Sequence, residues 1–164
     1  MFNKGDVVVY SASGVCEVEE ISTKSFGSFS AEYYVLKPLM QKASTVFVPT
    51  ANGALVKKIH PILTRSEFEA VFTSLKDIAP TRPESEGERQ QKFTEIIESG
   101  DRASLMLMVY DLYNYSREQQ QNGRRLHIGE EKLLRTAENM LFEEVAYVFE
   151  IDKNAADEFI KSKF

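Results

Sequence analysis

The side chains in this sequence that could carry chemistry are one thiol, two imidazoles and three adjacent pairs of glutamates. Cys16 is the one cysteine, which rules out an internal disulfide framework and a multi-cysteine metal site. It reads as a small, semi-buried thiol on a strand, because only exposed thiols in positive surroundings are activated. His60 and His127 fall in different halves, and neither has a second His or a Cys at ligand spacing, so no metal site is expected. Glu19-Glu20, Glu130-Glu131 and Glu143-Glu144 are neighbours in sequence rather than pairs at i, i+3 or i, i+4. They read as solvated faces, since catalytic carboxylates need a desolvation that these neighbourhoods do not promise. The glycines never form a phosphate-binding loop, and no nucleophile elbow is present. No enzymatic activity and no cofactor are expected.

What remains is the chemistry of binding. The chain of 164 residues carries a net charge of -5, whereas a protein that lives by gripping phosphates is usually basic. Any contact with nucleic acid would use a local patch and need a partner to hold the chain near the duplex. The longest apolar run, Leu105 to Tyr110, is far short of the ~20 residues of a membrane span. The opening Met1-Phe2-Asn3-Lys4-Gly5-Asp6 has no signal-peptide pattern, so a cytoplasmic protein without a membrane partner is expected.

The elements that must position these residues change period near residue 58. Val7 to Tyr10 is a β-branched run, Gly14 breaks the chain, and Val15 to Ile21 alternates imperfectly. Ser22 to Ser30 reads as a loop or hairpin connection, Tyr33 to Leu36 as a strand, and Thr45-Val46-Phe47-Val48-Pro49 as another, closed by proline. Short strands at this spacing predict a small, strongly bent sheet or barrel over residues 1–58. From Thr64 onward the period is helical. Thr64-Arg65-Ser66-Glu67 and Ser85-x-x-Glu88 are capping boxes, Gly100 ends one helix and Asp101 caps the next. The stripes Phe68/Val71/Phe72/Leu75, Phe93/Ile96/Ile97, Leu105/Met108/Val109/Leu112/Tyr113 and Leu133/Leu134/Ala137/Met140/Leu141 each predict a helix with one buried face. Asp152 opens a short last helix through Ile160. The expectation is an α+β chain with an all-helical domain of about five helices over 59–164 and a linker-like stretch at 78–85.

Several motifs together resemble the CarD/CdnL family of bacterial transcription regulators. They are Phe2-x-x-Gly5-Asp6-x-Val8-Val9-Tyr10 with Ser13-Gly14-Val15, then Tyr33-Tyr34-Val35-Leu36-Lys37-Pro38, then Thr45 to Asn52. In the second half they are Glu98-Ser99-Gly100-Asp101, Val109-Tyr110-Asp111-Leu112 and Gly129-Glu130-Glu131-Lys132-x-Leu134. The first half alone also resembles the polymerase-interaction module of transcription-repair coupling factors; the helical half points to CarD.

The resemblance implies a Tudor/SH3-like first domain that docks on the β subunit of RNA polymerase by adding a strand to a sheet. Val46, Phe47, Val48 and Pro49 are the candidate edge, with Lys24 nearby. The alternative is that Val46 and Val48 are only inward core residues. Where this sequence has Phe47, the family often carries arginine. The resemblance further implies that the helical domain touches promoter DNA, weakly, at the upstream edge of the transcription bubble, where family members insert a tryptophan wedge. This chain has no tryptophan, and the aligned position falls at Glu86. Either the wedge is lost, or another residue takes its place, or the alignment slips in the linker. Arg89, Lys92, Lys132 and Arg135 are the candidate phosphate contacts, against the plainer reading of a solvated helix face. Arg124-Arg125 is a further basic pair. A different class of reading is a protein-interaction adaptor that binds polymerase or another partner without touching DNA, which the negative charge favours.

Overall fold

The computed structural model of the chain describes residues 1–41, 44–76, 82–83 and 85–163. Of the linker expected over 78–85, only Arg82, Pro83 and Ser85 lie within the described residues. The first half forms β1 (Val7–Tyr10), a 3-10 turn (Ser11–Ser13), β2 (Gly14–Phe26), β3 (Phe29–Pro38), β4 (Val46–Pro49), a one-turn α1 (Gly53–Val56) and β5 (Ile59–Pro61). All pairings are antiparallel, in the order β4-β3-β2-β1-β5. The sheet does not close on itself, so the expected barrel is an open, Tudor-like five-stranded sheet with β4 and β5 at its edges. β5 pairs with β1, so the sheet continues past the expected limit at residue 58, to Pro61.

The imperfect alternation of Val15 to Ile21 has a local cause. The β2–β3 register shifts between Val18 and Glu20, leaving Glu19 as an extra residue. A bulge of this kind exchanges the two faces of the strand. Cys16 and Val18 face the sheet's own core before it, and Glu20, Ser22 and Lys24 take the opposite face after it. The expected connection over Ser22 to Ser30 is instead the tip of a long hairpin, with strand running to Phe26 and resuming at Phe29. Its polar alternation is weak because few of its residues have a core to face.

The sheet buries both sides of its β1–β2 hairpin. One side packs Val8, Cys16, Val18, Tyr34, Leu36, Val48 and Ile59 into a small core. The other side gives Val9 and Val15 to the helical core.

That second core is built by α2 (Arg65–Leu75), α3 (Glu86–Ser99), α4 (Arg102–Gln121), α5 (Ile128–Phe149) and α6 (Ala156–Lys161). The predicted caps form. The Thr64 hydroxyl accepts from Glu67 N while Glu67 reaches back to Thr64 N. Ser85 accepts from Glu88 N, Asp101 from Ser104 N and Asp152 from Asn154 N. Each such cap is worth about 1 kcal/mol. Gly100 ends α3 in the left-handed region at φ 66. α5 runs unbroken to Phe149 and is the central pillar, touching α3, α4, α6 and the start of β2. No described helix is long and apolar enough to cross a membrane.

Gly14 lies at the junction of the two cores. Its φ is 67, and a Cβ built on it would lie 1.8 Å from Glu143 Oε2 on α5. Gly5, at φ 90, has nothing within 4 Å of the same position. Gly14→Ala is therefore expected to cost about 3 kcal/mol, from strain plus loss of a buried contact, against about 1 kcal/mol for Gly5→Ala. Urea-denaturation midpoints of the two variants check the difference.

Candidate functional site

Two surfaces carry the residues expected to bind, and a buried polar layer joins them. The first surface is the β4 edge. Among the described residues β4 pairs only with β3, in the register Tyr33↔Pro49, Tyr34↔Val48, Val35↔Phe47 and Leu36↔Val46. Thr50 N donates to Glu32 O, one step beyond that ladder. Rungs alternate in an antiparallel pair, so Val48 and Val46 direct their main-chain groups to β3 while Phe47 and Pro49 direct theirs away. Pro49 thus sits where its missing N–H breaks no ladder bond. Phe47 presents an N–H and a C=O to the open side.

The side chains divide as well. Val48 is fully buried in the sheet core and Val46 packs against it, as the inward-core alternative had it. Phe47 is on the opposite face and 40% exposed. Its ring meets Phe26 at 5.6 Å and Tyr33 at 6.2 Å, both edge to face. Lys24 lies on this face too, two strands inward, with its ammonium held by Glu20. That ion pair lowers the pKa of Glu20.

The second surface surrounds the N-terminal end of α5. Lys132 and Arg135 are exposed and line one open groove of about 520 Å³ with Ile128, Glu131, Thr136, Asn139 and Gln41, the last from the segment after β3. Arg124 and Arg125 line an adjoining groove, and Glu131 borders both. None of these four cationic heads forms an ion pair or hydrogen bond among the described residues. Glu86, on the first turn of α3, accepts from Gln90 and faces His127 Nε2 at 3.3 Å. Ile128, the residue after His127, is 86% exposed. Lys92 is half-buried on α3, within the field of Asp111. Burial raises the pKa of Asp111, and Arg82 partly offsets that rise.

Arg89 corrects an expectation. It is not an exposed phosphate contact but a buried residue, 5% accessible. Its Nε donates to Glu130 Oε1 at 2.7 Å, its Nη2 lies 3.3 Å from the Tyr115 hydroxyl, and its guanidinium lies 4.8 Å from the centre of that ring. A second correction concerns the glutamates. Glu130, Glu143 and Glu144 are fully buried rather than solvated. Glu144 accepts two bonds from Arg102, at 2.7 and 2.8 Å, and one from Leu63 N at 2.9 Å. Arg102 also donates to Pro61 O at 3.0 Å, which ties α4 to the end of β5. Glu143 accepts from Val15 N at 3.0 Å, Gln41 Nε2 at 2.6 Å and Lys153 Nζ at 2.9 Å.

The remaining titratable groups are shaped by this layer. Burial first, and then the Glu143 charge, push the Cys16 thiol up to about 12, so it is an inert thiol in the folded chain. Burial and then Arg102 lower the pKa of His60, whose ring lies where a Cβ on Gly100 would be, at 2.5 Å. Among the described residues, no three His, Cys, Asp or Glu side chains gather as a metal site would require.

Sequence reasoning missed Ile128 and the buried carboxylates. The signal for Ile128 was an apolar residue standing off every helical stripe. For Glu143 and Glu144 the signal was their position inside the Met140–Ala146 apolar stretch of α5.

Residues 2–61 match the family model of the CarD-like/TRCF RID domain, and residues 70–161 match that of the CarD C-terminal domain. None of the curated proteins compared with the chain matches it.

Removing one partner of a buried ion pair strands the other. Arg89→Ala is therefore expected to lose about 3 to 5 kcal/mol of stability while leaving any DNA affinity of the folded protein unchanged. Chemical denaturation, paired with a DNA-binding titration below the midpoint, checks both halves of that expectation.

Proposed function

The chain belongs to the CarD family of RNA polymerase-interacting transcription regulators, a non-enzymatic family, and on that basis we propose a division of labour between its two surfaces. The β4 edge docks on the β subunit of RNA polymerase by strand addition. The α5 end then meets promoter DNA at the upstream edge of the bubble and favours the open complex. The observation that carries the first step is the free edge, where Phe47 offers an unpaired N–H and C=O. Docking holds the helical domain beside the duplex at high effective concentration, so weak contacts suffice. The open complex is favoured by no more than the difference in affinity for the two DNA states.

The second step is supported by the four cations around the α5 end that have no partner among the described residues. Lys132 and Arg135 make phosphate contacts, helped by Arg124 and Arg125. Glu86 itself is a poor neighbour for phosphate. In this reading Ile128, exposed beside the Glu86–His127 pair, replaces the missing tryptophan as the apolar wedge. The net charge of -5 favours a second reading, an adaptor that binds polymerase without touching DNA.

Phe47→Ala and Phe47→Pro both remove the ring, but only proline removes the outward donor. Strand addition predicts that Phe47→Pro binds a polymerase β-lobe fragment at least about fivefold more weakly than Phe47→Ala. Equal affinities would leave the edge unused. For DNA, the double variant Lys132→Ala/Arg135→Ala is expected to reduce the slope of log affinity against log salt by roughly 2. A slope already near zero in the unaltered chain selects the adaptor. Ile128→Ser is expected to shorten open-complex lifetime on a linear promoter, and Glu86→Trp to lengthen it.

A further inference from the structure

The face of the sheet beside the β4 edge carries a cluster of exposed aromatic rings. Phe26 and Phe29 are 53% and 63% exposed at the hairpin tip, and Phe47 is 40% exposed at the edge. Phe26, Tyr33 and Phe47 form a three-ring cluster with centroids 5.6 to 6.2 Å apart. Edge-to-face packing holds the Phe47 ring in place over the sheet. Of the cations on this face, Lys24 is bound by Glu20, while Lys37 stands opposite Glu17 in the ladder, exposed and without an ion pair among the described residues.

An added strand would pair its own residue with Phe47, and paired residues point to the same face with Cβ atoms roughly 5 Å apart. That incoming side chain would lie against the three rings. An aliphatic or aromatic side chain would bury them further. A carboxylate would lose water and meet ring faces, with the Lys24 ammonium already taken by Glu20. We infer that the partner strand carries an apolar side chain opposite Phe47, so that the edge selects its partner by ring burial rather than by charge. This inference rests on the strand-addition reading above and adds the chemistry of the residue recognised.

The test uses the full chain and the core RNA polymerase of its own organism. Affinity is measured for the unaltered protein and for Phe47→Leu, Phe47→Ala and Phe47→Arg, between roughly 0.05 and 0.5 M salt. Thermal melts confirm that each variant is folded, as expected for a half-exposed position. The inference predicts that Phe47→Leu binds within about threefold of the unaltered chain. Phe47→Ala and Phe47→Arg each weaken binding about tenfold or more, and salt leaves the affinity of the unaltered chain nearly constant. If Phe47→Arg binds as tightly as the unaltered chain, with an affinity that falls with salt, the residue opposite is acidic and the inference is wrong, although docking at the edge survives. If all three variants bind as the unaltered chain does, the ring is not what is recognised and the inference is wrong, while strand addition stands or falls on Phe47→Pro; if the unaltered chain fails to bind, the strand-addition reading falls and takes the inference with it.

Discussion

Glu143 and Glu144 enter the interior from consecutive positions on α5 and grip two separate stretches of main chain. Glu143 takes the amide of Val15 at the head of β2. Glu144 takes the amide of Leu63 just after β5, together with the guanidinium of Arg102, which in turn holds Pro61 O. A buried carboxylate costs several kcal/mol to desolvate, and only a full set of donors offsets that. For Glu143 the donors come from both halves, Val15 and Gln41 from the sheet side and Lys153 from the helical side, so it is satisfied only when sheet and helices are docked. The buried Val9 and Val15 side chains add an apolar reason for the same docking. The arrangement gives the junction specificity, because a shift of one residue would strand two charges.

The functional geometry follows from that junction. β4 lies at an edge of the sheet, and the four cations without an ion pair among the described residues lie on the first turns of α5 and just before it. Gln41, in the connection between β3 and β4, reaches both Asn139 and Glu143 and also lines the groove that contains Lys132 and Arg135. Gln41, just past β3, is thus bonded to the helix that carries Lys132 and Arg135. A partner fixed to β4 would fix the direction in which α5 points, with little of the rotational freedom of a flexible linker.

Most of the architecture was legible because its signals are local. A threonine three residues before a glutamate, or a glycine followed by aspartate, fixes a helix end through bonds that span a single turn. Apolar stripes report burial directly. The edge at β4 was expected from the family resemblance, and Pro49, which cannot donate to a ladder, is its one local trace. The failures are all long-range. Glu143 finds Val15 128 residues away, and Arg89 finds Glu130 41 residues away. Glu143 had one local trace, its place inside the Met140–Ala146 apolar stretch, whereas nothing in the neighbourhood of Arg89 distinguishes a buried charge from a solvated one. The bulge at Glu19 had a local trace, the broken alternation, but its meaning depended on the partner strand. The clustering of Lys132 and Arg135 with Arg124 and Arg125 depended on how the segment before α5 folds back, which periodicity does not report.

The central claim is that α5 makes sheet and helices one cooperative unit. A urea titration of the full chain tests it with two probes. Far-ultraviolet ellipticity follows the helices, and labelling of Cys16, a buried and unreactive thiol in the sheet core, follows the sheet. The account predicts one transition, with coincident midpoints and slopes from both probes. A Cys16 that stays protected after the helices have melted, or becomes reactive while they persist, would contradict it.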